Sequence, residues 1–181
     1  SSAKCSAGLE ANYFDIPDFA ERAGNIADWS HLSEELELSG VITTIWSNYT
    51  GTIAPPHPFF ETAWYPALLS ADLYWNEAAG PARAFESRFF DNYFGVDVEE
   101  EVFQNNYEEL YRFFEDLCRK PLRHPYTAEA YKLMYLLTLY RKKSHVTNRE
   151  LYKLFNGVST YEKEIVLKRA KDLAAMRRYL K

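Results

Sequence analysis

The sequence predicts an α/β portion over residues 1–80 followed by an all-α helical domain over residues 81–181. Three observations carry this. One β-branched run, Val41 to Trp46, lies between two segments of helical periodicity. Gly and Pro punctuate the first 80 residues into short apolar runs. From about residue 81 onward the chain reads as nearly continuous amphipathic helix with brief interruptions.

The elements follow in order. Asn12 to Asp15 forms a loop, and Pro17 suits the first turn of a helix. Phe19, Ala23, Ile26, Trp29, Leu32 and Leu36 then recur at three- and four-residue steps, which predicts a helix of about five turns. Gly40 stands where a left-handed cap belongs. Val41-Ile42-Thr43-Thr44-Ile45-Trp46 has the composition of a strand covered on both faces, as in parallel sheets. Tyr49 to Pro58 carries Gly51 and three prolines and is a loop. Glu61 to Trp75 resumes helical spacing through Trp64, Leu68, Ala71 and Trp75. A single parallel strand cannot satisfy its own backbone hydrogen bonds, so the chain is expected to be a fragment whose sheet is completed by residues outside it.

In the second half, helices are expected at roughly 82–94, 99–119, 128–143, 148–156 and 160–180. Gly95 ends the first. Phe103, Tyr107, Leu110, Phe114 and Leu117 line the second. Pro121 and Pro125 interrupt the chain before Thr127, which caps the third. Thr147 with Glu150, and Ser159 with Glu162, have the spacing of capping boxes.

Composition narrows the function without choosing it. Apolar residues are 47% of the chain, enough for a core, and charged residues are 26%, which argues against disorder. The aromatic share of 17% suits either dense packing or ring faces that stack on sugars. A net charge of −5 disfavours general nucleic-acid binding, although basic residues collect in the last third. Arg141-Lys142-Lys143, Lys168-Arg169 and Arg177-Arg178 read as solvated faces or helix ends. No apolar stretch is long enough to span a bilayer, and no leader is visible before Cys5. Cys5 and Cys118 lie far apart in sequence and show no disulfide framework; a single pairing is the alternative to free thiols, the favoured reading, which suits a cytoplasmic setting.

Candidate chemistry concentrates at the end of the strand. Trp46, Ser47, Asn48 and Tyr49 follow it, with Glu61 beyond the loop. In α/β folds ligands bind past the carboxyl ends of strands. An indole, an amide, a phenol and a carboxylate suit a polyol, with the ring on C–H faces and the polar groups on hydroxyls. An equal alternative makes Trp46 core, Asn48 a turn former and Glu61 a charge favoured at a helix start. His31, His57, His124 and His145 have no zinc spacing, so no metal is expected, and no cofactor motif is present. Asp15, Asp18 and Glu21, and likewise Glu99-Glu100-Glu101, are acidic residues at helix starts. Asn48-Tyr49-Thr50 is a glycosylation triplet that matters only on a secretory route.

Gly40-Val41-Ile42-Thr43-Thr44-Ile45-Trp46-Ser47-Asn48-Tyr49, followed by Glu61-Thr62-Ala63-Trp64-Tyr65-Pro66-Ala67-Leu68-Leu69-Ser70-Ala71-Asp72-Leu73-Tyr74-Trp75, resembles the last strand and helix of family-20 glycoside hydrolases. These are β-N-acetylhexosaminidases, and the likeness is closest to the hexosaminidase D type. Ser2-Ala3-Lys4 is similar to the end of that branch's seventh strand, and Asp28-Trp29 falls in the following helix. The resemblance implies that residues 1–80 are the last two β/α units of a TIM barrel, completed by the remainder of that barrel. It implies hydrolysis of terminal β-linked N-acetylhexosamine from a glycan, with an Asp-Glu pair acting together with the substrate's own acetamido group. No Asp-Glu pair here matches, so that pair is expected upstream of Ser1. Trp46 matches the tryptophan that walls the terminal-sugar pocket. Asn48 stands where many members carry a sugar-binding Glu, while Tyr49 and Glu61 match positions of the hexosaminidase D branch. The alternative is a non-enzymatic helical module that grips a partner protein through Tyr107, Tyr111 and Phe114.

Overall fold

The computed structural model describes residues 3–5, 19–43, 60–75, 82–98, 101–156 and 163–179. Among these residues β-structure is confined to β1 (Ala3–Cys5) and β2 (Val41–Thr43), paired in parallel with Ala3 opposite Val41 and Cys5 opposite Thr43. Everything else that is regular is helical, so the protein is mostly α. This corrects the expected α/β barrel portion. The reason is visible in β2, whose Ile42 is 55% exposed. A strand inside a barrel wall is covered on both faces. Here the apolar burial is made between helices instead.

α1 (Phe19–Glu35) is the expected helix, and it buries Phe19, Ala23, Ile26 and Ser30. Leu32 and Leu36, which their spacing places in the same stripe, are exposed. Its C-terminus closes three residues before Gly40. Leu38 N–H donates to the Ser33 carbonyl (2.9 Å) and Glu37 N–H to the Glu34 carbonyl (3.1 Å). That pair of bonds is a Schellman closure, with Glu37 as the left-handed residue at φ 47°.

A 3₁₀ turn (Phe60–Ala63) leads into α2 (Trp64–Trp75). The face that packs is not the expected one. Tyr65, Pro66, Leu69 and Ser70 are buried, while Trp64, Leu68, Ala71 and Trp75 face out. α2 is apolar on nearly every side, so periodicity alone does not select its inner stripe.

α3 (Ala82–Phe89) continues as a π-helical turn (Phe90–Phe94) that ends at Gly95. Gly95 adopts φ 77°, in the left-handed region, and its N–H donates to the Asp91 carbonyl at 3.0 Å. Arg123 completes this end: its guanidinium donates to the carbonyls of Asp91 (3.1 Å) and Asn92 (2.8 Å). A Cβ at Gly95 would lie 3.3 Å from the Arg123 Nε. Gly95→Ala is therefore expected to cost about 1–2 kcal/mol, from left-handed strain plus displacement of Arg123. Urea denaturation checks this, and an unchanged midpoint would refute it.

The expected helix over 99–119 is shorter and preceded by a separate turn. A 3₁₀ turn (Val102–Gln104) comes first, and Asn106 then caps α4 (Tyr107–Leu117). The Asn106 carboxamide oxygen accepts from Glu108 N (3.0 Å) and Glu109 N (3.1 Å), and Glu109 accepts from Asn106 N, a reciprocal capping box. α5 (Pro125–Phe155) is one helix of 31 residues where two were expected. Pro125 is its first residue, a position where a missing N–H costs nothing. Thr147 and Glu150 lie well inside α5, both buried, so their spacing marks no helix start. Ser159 and Glu162 lie outside the described residues. α6 (Lys163–Tyr179) ends the described chain.

Two compact units result, residues 1–134 and 135–181, with the boundary inside α5. The compositional change near residue 80 falls within the first. That unit has an aromatic core: Phe103 lies 4.4 Å from Tyr65, 5.0 Å from Phe19 and 5.7 Å from both Phe90 and Tyr131, centroid to centroid. Tyr131 stacks on Phe114 at 4.6 Å, and its hydroxyl donates to the Thr62 carbonyl (2.8 Å). Much of the aromatic excess thus goes into packing. Phe114 is fully buried, which removes it from the expected gripping face, and Tyr107 and Tyr111 are only half-buried. In the second unit Val166 is fully buried, and the buried Glu150 accepts from Lys153 Nζ (3.1 Å). No described helix is long and apolar enough to cross a membrane.

Candidate functional site

Three of the expected sugar contacts, Trp46, Asn48 and Tyr49, lie outside the described residues. Glu61 is described, and it joins two helix starts. Its Oε2 accepts from the Trp64 indole N–H at 3.2 Å and from the Thr127 hydroxyl at 3.5 Å. Glu61 thus ties the entrance of α2 to the first turn of α5.

A different set of side chains converges beside β2. Val41 and Thr43, two residues apart, share one face of the strand. With Ser70, Asp72, Tyr74 and Trp75 from the C-terminal half of α2 they line a cleft of about 560 Å³. The Thr43 hydroxyl is buried without a hydrogen-bond partner. Such a group costs roughly 1–3 kcal/mol unless something satisfies it. The Trp75 indole is 93% exposed, an open apolar face at the rim. Asp72 accepts through Oδ2 from the Arg88 guanidinium, and Ser70 donates to the Ala67 carbonyl at 2.8 Å. α2 is anchored behind the cleft by the Ser30 hydroxyl, which donates to the Leu73 carbonyl (3.0 Å).

An open ring face, a carboxylate and an unsatisfied hydroxyl on one cleft are the elements of polyol recognition. Sequence reasoning misses this set because helical spacing places Trp75 in a packed stripe. A usable clue is present: Asp72, Tyr74 and Trp75 end an otherwise apolar helix with groups that favour an interface with water.

Glu86, Tyr65 and Cys118 belong to packing. Glu86 sits among Tyr65, Phe85 and Phe103, and its carboxylate accepts the Phe103 N–H at 3.1 Å. Burial pushes its pKa up to about 7, against the opposing pull of the Phe103 and Val102 N–H groups. Burial, with the nearby Glu86 charge, also raises the Tyr65 phenol. Burial and the Glu129 carboxylate push the Cys118 thiol up to about 11, which leaves it a poor nucleophile. His124 stacks on Tyr93 at 4.2 Å. Among the described residues no cluster of His, Cys, Asp and Glu could hold a metal ion. No protein-family model, no curated protein and no solved structure matches this chain.

Proposed function

We propose that this chain serves the hydrolysis of terminal β-linked N-acetylhexosamine as a sugar-contacting part, not as the source of the acid/base pair. The observation that carries the proposal is the cleft between β2 and α2, where the exposed Trp75 indole, Asp72 and the unsatisfied Thr43 hydroxyl share one cavity. The resemblance of residues 40–49 and 61–75 to family-20 glycoside hydrolases supports the same substrate class. Trp46 is three residues beyond the last residue of β2 in the chain, and Asn48 and Tyr49 follow closely.

The division of labour is chemical. A retaining mechanism assisted by the substrate's acetamido group needs a carboxylic acid to protonate the leaving oxygen and a carboxylate to orient the amide. No Asp-Glu dipeptide occurs in these 181 residues. What these residues can supply is binding: an indole against the apolar face of the pyranose, and hydroxyl and carboxylate partners for its OH groups. Binding of this kind positions the ring for the reaction.

Trp75→Ala is expected to weaken binding of N-acetylglucosamine to the full chain by about tenfold, the scale of one aromatic stacking contact. Titration followed by tryptophan fluorescence and sugar-proton saturation transfer reads this directly. The reading fails if the wild-type chain shows no saturation of the sugar protons, or if Trp75→Ala binds as tightly as wild type. Turnover of an aryl β-N-acetylglucosaminide by the protein from its native source tests the reaction class separately. Hydrolysis that is lost when the acetamido group is replaced by hydroxyl supports the substrate-assisted route; hydrolysis indifferent to that change removes it.

A further inference from the structure

The acidic character of the whole chain hides a division. Residues 135–181 carry 12 Lys and Arg against 4 Asp and Glu, a net +8 within a chain whose total is −5. The second unit therefore presents strong positive charge, and its cavity lies where that charge meets apolar side chains. Lys142, Lys143, Val146 and Thr147 of α5 face Arg169, Asp172, Leu173 and Met176 of α6 across a space of about 510 Å³.

The spacing explains the arrangement. On α5, Lys142 and Val146 are four residues apart, as are Lys143 and Thr147. On α6, Arg169 and Leu173 repeat that step, with Met176 three residues on. Each helix thus offers cations at one level and apolar groups one turn along. Val146 is 40% exposed, and Leu173 and Met176 are half-buried, so an apolar floor stands open to solvent beneath charged groups. Lys142, Lys143 and Arg169 stand with Asp172 at the rim, in a unit of net positive charge. A volume in the range of roughly 300–1,000 Å³ is typical of small-molecule sites.

We propose that this cavity binds a single-chain anionic amphiphile, a fatty carboxylate, with its chain on Val146, Leu173 and Met176 and its headgroup among Lys142, Lys143 and Arg169. The occupant follows from charge complementarity and shape. A purely apolar ligand makes no use of the net positive charge of this unit, and a small inorganic anion leaves the apolar floor in water. A carboxylate on a hydrocarbon chain answers both. The carboxylate accepts charge-assisted hydrogen bonds, and the methylenes leave water.

The test is calorimetric titration of the full chain with octanoate, decanoate and dodecanoate below their micellar concentrations, with dodecanol and acetate as controls. The expected result is one site per chain, a Kd that tightens about tenfold for each two methylenes, and weaker binding of both controls. Lys142→Gln combined with Lys143→Gln, at two exposed positions, is expected to weaken dodecanoate about tenfold. Met176→Gln is expected to flatten the chain-length dependence. Dodecanoate binding that ignores the lysine substitutions overturns the proposal, as does binding that ignores Met176→Gln. Phosphatidylglycerol vesicles provide the last arm. Lysine-dependent capture by vesicles with no binding of free dodecanoate would assign the surface to a membrane and also overturn it.

Discussion

Phe103→Ala is expected to destabilise the first unit by about 3–5 kcal/mol, the scale of a large ring removed from a packed core. Phe103 is 4% exposed and belongs to a short turn, yet its ring meets Phe19, Tyr65, Phe90, Phe114 and Tyr131. These rings come from α1, α2, the π turn, α4 and α5. Removing the Phe103 ring leaves a void between five elements, and rings stiffened by mutual packing collapse into it poorly. A loss of this size is a large part of the stability of an ordinary domain. Near-UV circular dichroism during urea denaturation, which reports aromatic packing, reads it. Phe103→Leu refills much of the volume and is expected to lose less than half as much. Equal midpoints for the alanine variant and wild type would show that the ring is not the hub.

Glu86 gives the second large effect, through pH. The carboxyl has an ordinary pKa of 4.5 and is pushed up to about 7 in the folded protein. Below about 4.5 it is protonated in both states and imposes no penalty. Between 4.5 and about 7 the unfolded chain releases its proton while the folded chain keeps it, so stability falls as pH rises. Above about 7 the penalty is complete, on the order of 3 kcal/mol. Glu86→Gln keeps an oxygen to accept the Phe103 N–H and removes the charge. The variant is expected to gain roughly 2 kcal/mol at pH 8 and little at pH 4.5, flattening the profile between them. Urea midpoints of the two proteins across that range decide the matter. Parallel profiles would mean that Glu86 ionises without penalty.

Helices are far more legible in the sequence than their faces. α1, the helical run from Ala82 to Phe94 and α6 are found close to where apolar spacing and Gly95 place them. The expected division of α5 goes with the capping-box spacing of Thr147 and Glu150, but that spacing inside a continuous helix starts nothing. No Gly or Pro lies between Pro125 and Gly157, so nothing breaks the hydrogen-bond ladder there. In α2 two stripes are equally apolar, and only the neighbouring rings select Tyr65 and Leu69 over Trp64 and Leu68. β2 is less covered at Ile42 than its composition suggests, because a β-branched run reports preference without reporting what lies on either side. The same limit applies to the site. Glu61 stands out by type and place, yet its partners are Trp64 and Thr127. Thr43 carries no mark in the sequence, since an unpartnered hydroxyl exists only once the chain has folded around it.

The division of charge at residue 134 bears on how the protein behaves in bulk. Residues 1–134 carry 22 Asp and Glu against 9 Lys and Arg, a net −13, next to the +8 of residues 135–181. A sequence isoelectric point near 5.5 therefore describes neither part. Such a molecule can be held by an anion-exchange resin and by a cation-exchange resin at the same pH. Oppositely charged parts of neighbouring chains are expected to attract one another in dilute buffer, and added salt to weaken that attraction.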